Sequence, residues 1–131
     1  MQEDLGEWDD SSPIVPEINA KAIIIAKEDC TVSGLKEADQ ILKYFGLDGE
    51  RLVREGDFVD AGSKVMAIRG RAMSILQAER LVLNFMSRMS GISTLTRECA
   101  GRAGRVRVAA TRKTTPGFRS FEKRAVVVGG G

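Results

Sequence analysis

The sequence predicts an α+β fold that mixes short antiparallel strands with amphipathic helices. Three observations carry that prediction. Ala20–Lys27 (AKAIIIAK) is rich in β-branched residues and reads as a strand partly buried on both faces. Arg51–Asp60 and Lys64–Arg69 alternate apolar and polar residues around glycine-containing turns. Ser74–Met89 instead places Ile75, Ala78, Val82, Phe85 and Met89 at helical spacing. A chain of 131 residues that is 43% hydrophobic and 29% charged has the composition of a globular protein, not of a wholly disordered one.

The elements follow in order. Residues 1–18 hold Pro13, Pro16 and several Asp and Ser, and read as an irregular lead-in. Leu35–Phe45 has apolar residues at 35, 38, 41, 42 and 45, a helix that Ser33 can cap and Gly46 can end. After Ser74–Met89, Ser90-Gly91 is expected to break the helix. A second helix, Ile92–Ala103, would turn Ile92, Leu95 and Cys99 inward and stop at Gly104. Arg105–Ala110 (RVRVAA) reads as a strand feeding the loop Thr111–Arg119 (TRKTTPGFR). A short helix over Ser120–Lys123 and a strand over Ala125–Val128 are expected next. The final Gly129-Gly130-Gly131 is the kind of run that leads into a tight turn or ligand loop, so the natural protein is expected to continue beyond it.

Several function classes are disfavoured at once. The longest apolar runs, Ala22–Ala26 and Ala125–Val128, fall far short of the ~20 residues that span a bilayer. The opening MQEDLGEWDD is acidic where a secretory signal is basic and then apolar, so a cytoplasmic location is expected. The two cysteines, Cys30 and Cys99, lie in apolar patterns and are expected to be reduced and structural. With no histidine and no C-x-x-C, a zinc site has almost no ligands to draw on. The run EGDFVDAGSKV resembles half of a biotinyl or lipoyl carrier domain, but no lysine stands alone at a tight turn between matched halves.

Charge is distributed unevenly. Residues 1–60 hold 6 Lys/Arg against 15 Asp/Glu, net −9, and residues 61–131 hold 14 against 3, net +11. Either the basic part meets an anionic partner, or the two parts attract each other or a second subunit.

Two patterns are candidates for chemistry. In the loop after the Arg105–Ala110 strand, Arg112 offers a planar fork for a carboxylate or phosphate and Lys113 a movable point charge. Thr111, Thr114 and Thr115 add neutral donors, and Pro116 stiffens the turn. Such a loop suits a small, multiply anionic ligand, and it suits a solvated basic turn equally well. In Glu79-Arg80-x-x-x-Asn84, Arg80 and Asn84 lie one helical turn apart. Spacing alone favours reading them, with Ser87 and Arg88, as a plain polar outer face.

Longer strings change the weighting. Ala78–Thr96 (AERLVLNFMSRMSGISTLT) closely resembles the quinolinate phosphoribosyltransferase family, and TRKTTPGFR followed by EKRAVVVGGG matches the same family in order and spacing. Glu3-Asp4-Leu5-Gly6 resembles its opening E-D-L-G. The resemblance covers essentially the whole chain.

That resemblance implies an amino-terminal α+β sandwich domain over residues 1–103, followed over 104–131 by the start of an α/β barrel that this chain leaves incomplete. It implies transfer of a phosphoribosyl group from 5-phosphoribosyl-1-pyrophosphate to quinolinate, with loss of CO₂, giving nicotinate mononucleotide and pyrophosphate for NAD biosynthesis. It implies a homodimer or a trimer of dimers. Arg80 would reach quinolinate in the neighbouring subunit, and Thr111, Arg112 and Lys113 would bind it, with Arg112 and Lys113 catalytic. Mg²⁺ would assist, on ligands expected beyond residue 131. Many members have Asp before the T-R-K string where this chain has Ala110. The chain by itself is expected to be inactive. The competing readings are a paralogous transferase with another acceptor, and a non-catalytic module gripping RNA or another polyanion. Against the latter, one Tyr, one Trp and five Phe form no stacking pattern beside the arginines, and no nucleic-acid or membrane partner is expected.

Overall fold

The computed structural model describes residues 18–131. The irregular lead-in and the Glu3–Gly6 string lie outside them, apart from residue 18. Among the described residues, five strands, β1 (Asn19–Ile25), β2 (Cys30–Thr31), β3 (Asp48–Arg51), β4 (Phe58–Val59) and β5 (Lys64–Arg71), accompany three helices, α1 (Leu35–Tyr44), α2 (Ala72–Ala103) and α3 (Arg119–Val128).

β5 is the middle of a three-stranded antiparallel sheet ordered β1-β5-β3, and β2 pairs with β4 in a separate ladder. The register sets Ala22 against Ile68 and Asp48 against Arg69. Four successive β5 residues, Val65–Ile68, are buried, as befits a central strand covered on both sides. β1 differs from its expectation. Ala20, Ala22 and Ile24 are half-buried, whereas Ile23 and Ile25 face outward, because an edge strand here has only one covered face.

The core joins this sheet to α1 and α2 through Leu35, Leu42, Met66, Val82 and Met86. Burying such side chains contributes roughly 1.5–3 kcal/mol each. α1 starts one residue after Gly34, which takes φ +93°, and an added Cβ there would lie 3.3 Å from Met86 Cα and Met89 Sδ. Only glycine meets both demands. Ser33 does not cap the helix as expected. Its hydroxyl donates to Glu55 Oε1 at 3.1 Å, and the Glu55 carboxylate accepts the Gly34 N–H at 2.6 Å and the Leu35 N–H at 3.0 Å. The cap comes from a distant loop.

The expected break at Ser90-Gly91 is absent: α2 runs unbroken for 32 residues, a rod of about 48 Å. A mid-helix glycine costs about 1 kcal/mol, which neighbouring contacts offset here. Ser90 Oγ accepts the Ser33 N–H at 3.0 Å, and Thr94 Oγ1 accepts the Thr31 N–H at 2.9 Å. On another face Ser93 Oγ donates to the Ala125 carbonyl at 2.8 Å. The inward residues are therefore Met86, Met89, Ser93 and Thr96, while Leu95 is 62% exposed and Cys99 is exposed, contrary to the expected inward set.

Two further strands are not formed, and no barrel is present among the described residues. Arg105–Ala110 is irregular, since no strand among the described residues pairs with it. The short helix expected over Ser120–Lys123 and the strand expected over Ala125–Val128 are instead one helix, α3, packed on α2 through fully buried Ala125. Gly129 follows it closely against α2: a Cβ there would lie 2.5 Å from the Ser93 carbonyl oxygen and 2.7 Å from Thr96 Cβ. The first of the three closing glycines thus serves helix packing.

Candidate functional site

The loop Thr111–Phe118 connects the irregular segment to α3. Lys113 N–H donates to Thr111 Oγ1 at 3.1 Å, a local turn of the kind hydroxyl side chains favour. Phe118 N–H donates to the Thr115 carbonyl at 3.0 Å, and Arg119 Nε donates to Thr114 Oγ1 at 3.3 Å. Thr111, Arg112 and Lys113 are exposed at the start of this loop. Behind them Thr114, Thr115, Gly117, Arg119, Ser120 and Lys123 line an open depression of about 720 Å³.

Arg80 lies elsewhere. With Leu76, Glu79, Leu83 and Asn84 it lines a second depression of about 370 Å³ on α2. Leu76 and Leu83 are 42% and 37% exposed, so the cation stands in a partly apolar rim and not on a uniformly polar face. Arg80 lines the second of these depressions, and Thr111, Arg112 and Lys113 line neither. Among the described residues no carboxylate is ion-paired with Arg80, Arg112 or Lys113.

Arg88, which spacing alone places on a plain polar face, holds the loop. Arg88 donates to Thr115 Oγ1, and its Nε donates to Glu122 Oε1 at 3.1 Å, with a further Nη2 bond to the same oxygen. Its guanidinium lies 5.6 Å from the Phe118 ring centre. Phe85, Phe118 and Phe121 form a cluster, with Phe85 5.0 Å from each of the other two, that packs loop and α3 onto α2. The Arg88 hydrogen bond holds the Glu122 carboxyl below the usual glutamate range, and Thr115 adds to the effect. Glu122 is one of three acids after residue 60, the one sequence signal that could have marked it.

Part of the charge asymmetry is internal. Arg124 of α3 is ion-paired with Glu37 of α1, which is 4% exposed. Cys30 is half-buried, and burial first, then Asp29 and Glu28, push its thiol pKa up, so it is a poor nucleophile. Among the described residues no group of three or more His, Cys, Asp or Glu side chains could hold a metal ion. No described helix is long and apolar enough to cross a membrane.

Comparison with known proteins agrees with the motifs. The family model for the quinolinate phosphoribosyl transferase N-terminal domain matches residues 10–90, and that for its C-terminal domain matches residues 92–131. A probable nicotinate-nucleotide pyrophosphorylase [carboxylating] of Methanothermobacter thermautotrophicus is 45% identical over 114 residues, covering 84% of this chain and 41% of that protein. The chloroplastic nicotinate-nucleotide pyrophosphorylase [carboxylating] of Oryza sativa is 42% identical, covering all of this chain and 37% of that protein. The nicotinate-nucleotide pyrophosphorylase structure from Francisella tularensis superposes with a TM-score of 0.93 at 30% identity, over 99% of this chain and 48% of that one. The chain thus spans about two-fifths of the length of these curated relatives. Two models of one family meet end to end along residues 10–131, in the order in which the helix and loop motifs occur, and the chain belongs to the quinolinate phosphoribosyltransferase family.

Proposed function

We propose that the protein carrying this chain transfers a phosphoribosyl group from 5-phosphoribosyl-1-pyrophosphate to quinolinate and releases CO₂ and pyrophosphate. The observation that carries this reading is the set of three exposed cations, Arg80, Arg112 and Lys113, at the family's motif positions, with no carboxylate paired to them among the described residues. Family membership and the +11 balance of residues 61–131 support it.

The chemistry asks for such groups. Quinolinate is a dianion and the donor carries several more negative charges, so their approach is repulsive in a confined site. Arg112 and Lys113 offset that repulsion and orient the acid. The ring nitrogen then bonds to the anomeric carbon as pyrophosphate departs with the electron pair. The ribosylated ring is cationic at nitrogen, so it accepts the electrons of the adjacent carbon–carboxylate bond when CO₂ leaves, and a proton fills that carbon. Cations close to the ring stabilise the charge at both stages.

Arg80 serves a neighbouring subunit's site in this reading, consistent with its depression being separate from the loop's. Mg²⁺ would assist the departing pyrophosphate in this reading. The test is quinolinate-dependent pyrophosphate and CO₂ release by the natural full-length protein. Absence of both products, with quinolinate and the donor supplied, refutes the reading.

A further inference from the structure

We propose that Arg88 is a positioning residue: by bridging Thr115 and Glu122 it sets where the Thr111–Phe118 loop presents Arg112 and Lys113. The inference rests on the transferase reading above.

Lys113 N–H to Thr111, Phe118 N–H to Thr115 and Arg119 to Thr114 are all bonds within the loop or to its own exit. They shape the loop without fixing it to the body of the protein. Among the described residues the loop is tied to α2 by the Phe85–Phe118 ring contact and by Arg88. A ring contact tolerates sliding. A guanidinium does not, because its donors are fixed in a plane. Arg88 bonds the loop through Thr115 and α3 through Glu122, and it also lies over the Phe118 ring.

Geometry makes the tie local to the chemistry. Thr115 lies three positions after Arg112, a reach of at most about 11 Å of extended chain. Releasing Thr115 therefore frees the two cations to wander by distances that matter for a transfer reaction. The Arg88 side chain is 44% exposed and that of Glu122 12%, so the protection of α2 as a whole is what separates a positioning role from a general structural one.

The experiment uses the natural full-length protein and its Arg88→Ala, Arg88→Lys and Glu122→Gln variants. Amide hydrogen exchange over residues 111–118 is measured together with kcat and KM for quinolinate. In Arg88→Ala, exchange across the loop is expected to accelerate while the rest of α2 keeps its protection, and kcat falls roughly 10- to 100-fold. Millimolar guanidinium is expected to restore part of that kcat. Arg88→Lys stays impaired, because an ammonium cannot bridge Thr115 and Glu122 in the same plane, and Glu122→Gln lies between it and the wild type.

Unchanged exchange in Arg88→Ala overturns the proposal, and so does faster exchange with unaltered kcat. Loss of activity that guanidinium does not restore, with protection lost throughout α2, also overturns it in favour of a general structural role. A wild type inactive on quinolinate sinks the transferase reading instead, and the exchange data alone then decide whether Arg88 holds the loop.

Discussion

The Glu55 carboxylate accepts the Gly34 N–H at 2.6 Å, closing the start of α1 from a loop 21 residues downstream. The same carboxylate accepts the Leu35 N–H and the Ser33 hydroxyl. One side chain thus satisfies two backbone donors that a helix start leaves free. Glu55→Ala is expected to destabilise the protein by about 1–3 kcal/mol. Glu55→Gln, which keeps an acceptor oxygen, should lose less. Thermal melting of both checks this; equal melting temperatures for wild type and Glu55→Ala would show that the cap contributes nothing.

Two glycines should respond with opposite signs. Gly129→Ala forces a methyl group to within 2.5 Å of the Ser93 carbonyl oxygen, and α3 must move off α2 to admit it. The expected loss is about 1–3 kcal/mol, the usual result of overpacking. At Gly91 an added Cβ meets nothing within 4 Å, and the residue is in the interior of α2. Gly91→Ala should therefore stabilise by about 0.5–1 kcal/mol. Denaturant unfolding of the two variants decides the pair.

The Arg88–Glu122 pair gives the loop a pH dependence with a definite sign. The hydrogen bond from Arg88 lowers the Glu122 pKa in the folded protein. A depressed folded pKa stabilises above the unfolded value, and that contribution is lost as pH falls through the folded one. The tie is thus fully present at neutral pH and weakens only below the ordinary glutamate range. Protection factors over residues 111–118, the exchange rates divided into the intrinsic rate at each pH, should hold steady near neutral pH and fall on acidification. Glu122→Gln should flatten that profile; an unaltered profile would assign the transition to another group.

Much of the local architecture was legible in the sequence, and its failures share a cause. The periodicity of Leu35–Phe45 and Ser74–Met89 reports one face against one core, so α1 and the first half of α2 were readable. The continuation through Ser90-Gly91 was not, because the hydroxyls of Ser90, Ser93 and Thr94 bond to Ser33, Ala125 and Thr31, each at least 32 residues away. The same holds for Ser33, whose expected cap is displaced by Glu55. Val126–Val128 look like a strand by propensity, yet Ala125 and Gly129 fit closely against α2 only if the segment is helical. In the site, Arg112 and Lys113 stood out as adjacent cations, and Arg88 did not, since its partners Thr115 and Glu122 lie 27 and 34 residues along the chain.

The three exposed cations should separate by role in the natural full-length protein. Arg112→Ala and Lys113→Ala remove charge from the loop itself, where the proposed reaction builds charge on the ring. Each is expected to reduce turnover on the order of 100-fold, as for other fixed donors aimed at developing charge. Arg80→Ala should act differently. Arg80 sits on α2 in a separate depression, among Leu76 and Leu83. If it reaches the acid in a neighbouring subunit, its loss raises the quinolinate dissociation constant while sedimentation still finds the wild-type oligomer. Steady-state kinetics, direct titration with quinolinate and sedimentation of all three variants make the distinction. Unchanged quinolinate affinity in Arg80→Ala would reduce that residue to surface, and normal turnover in Arg112→Ala or Lys113→Ala would place the reacting centre away from the loop.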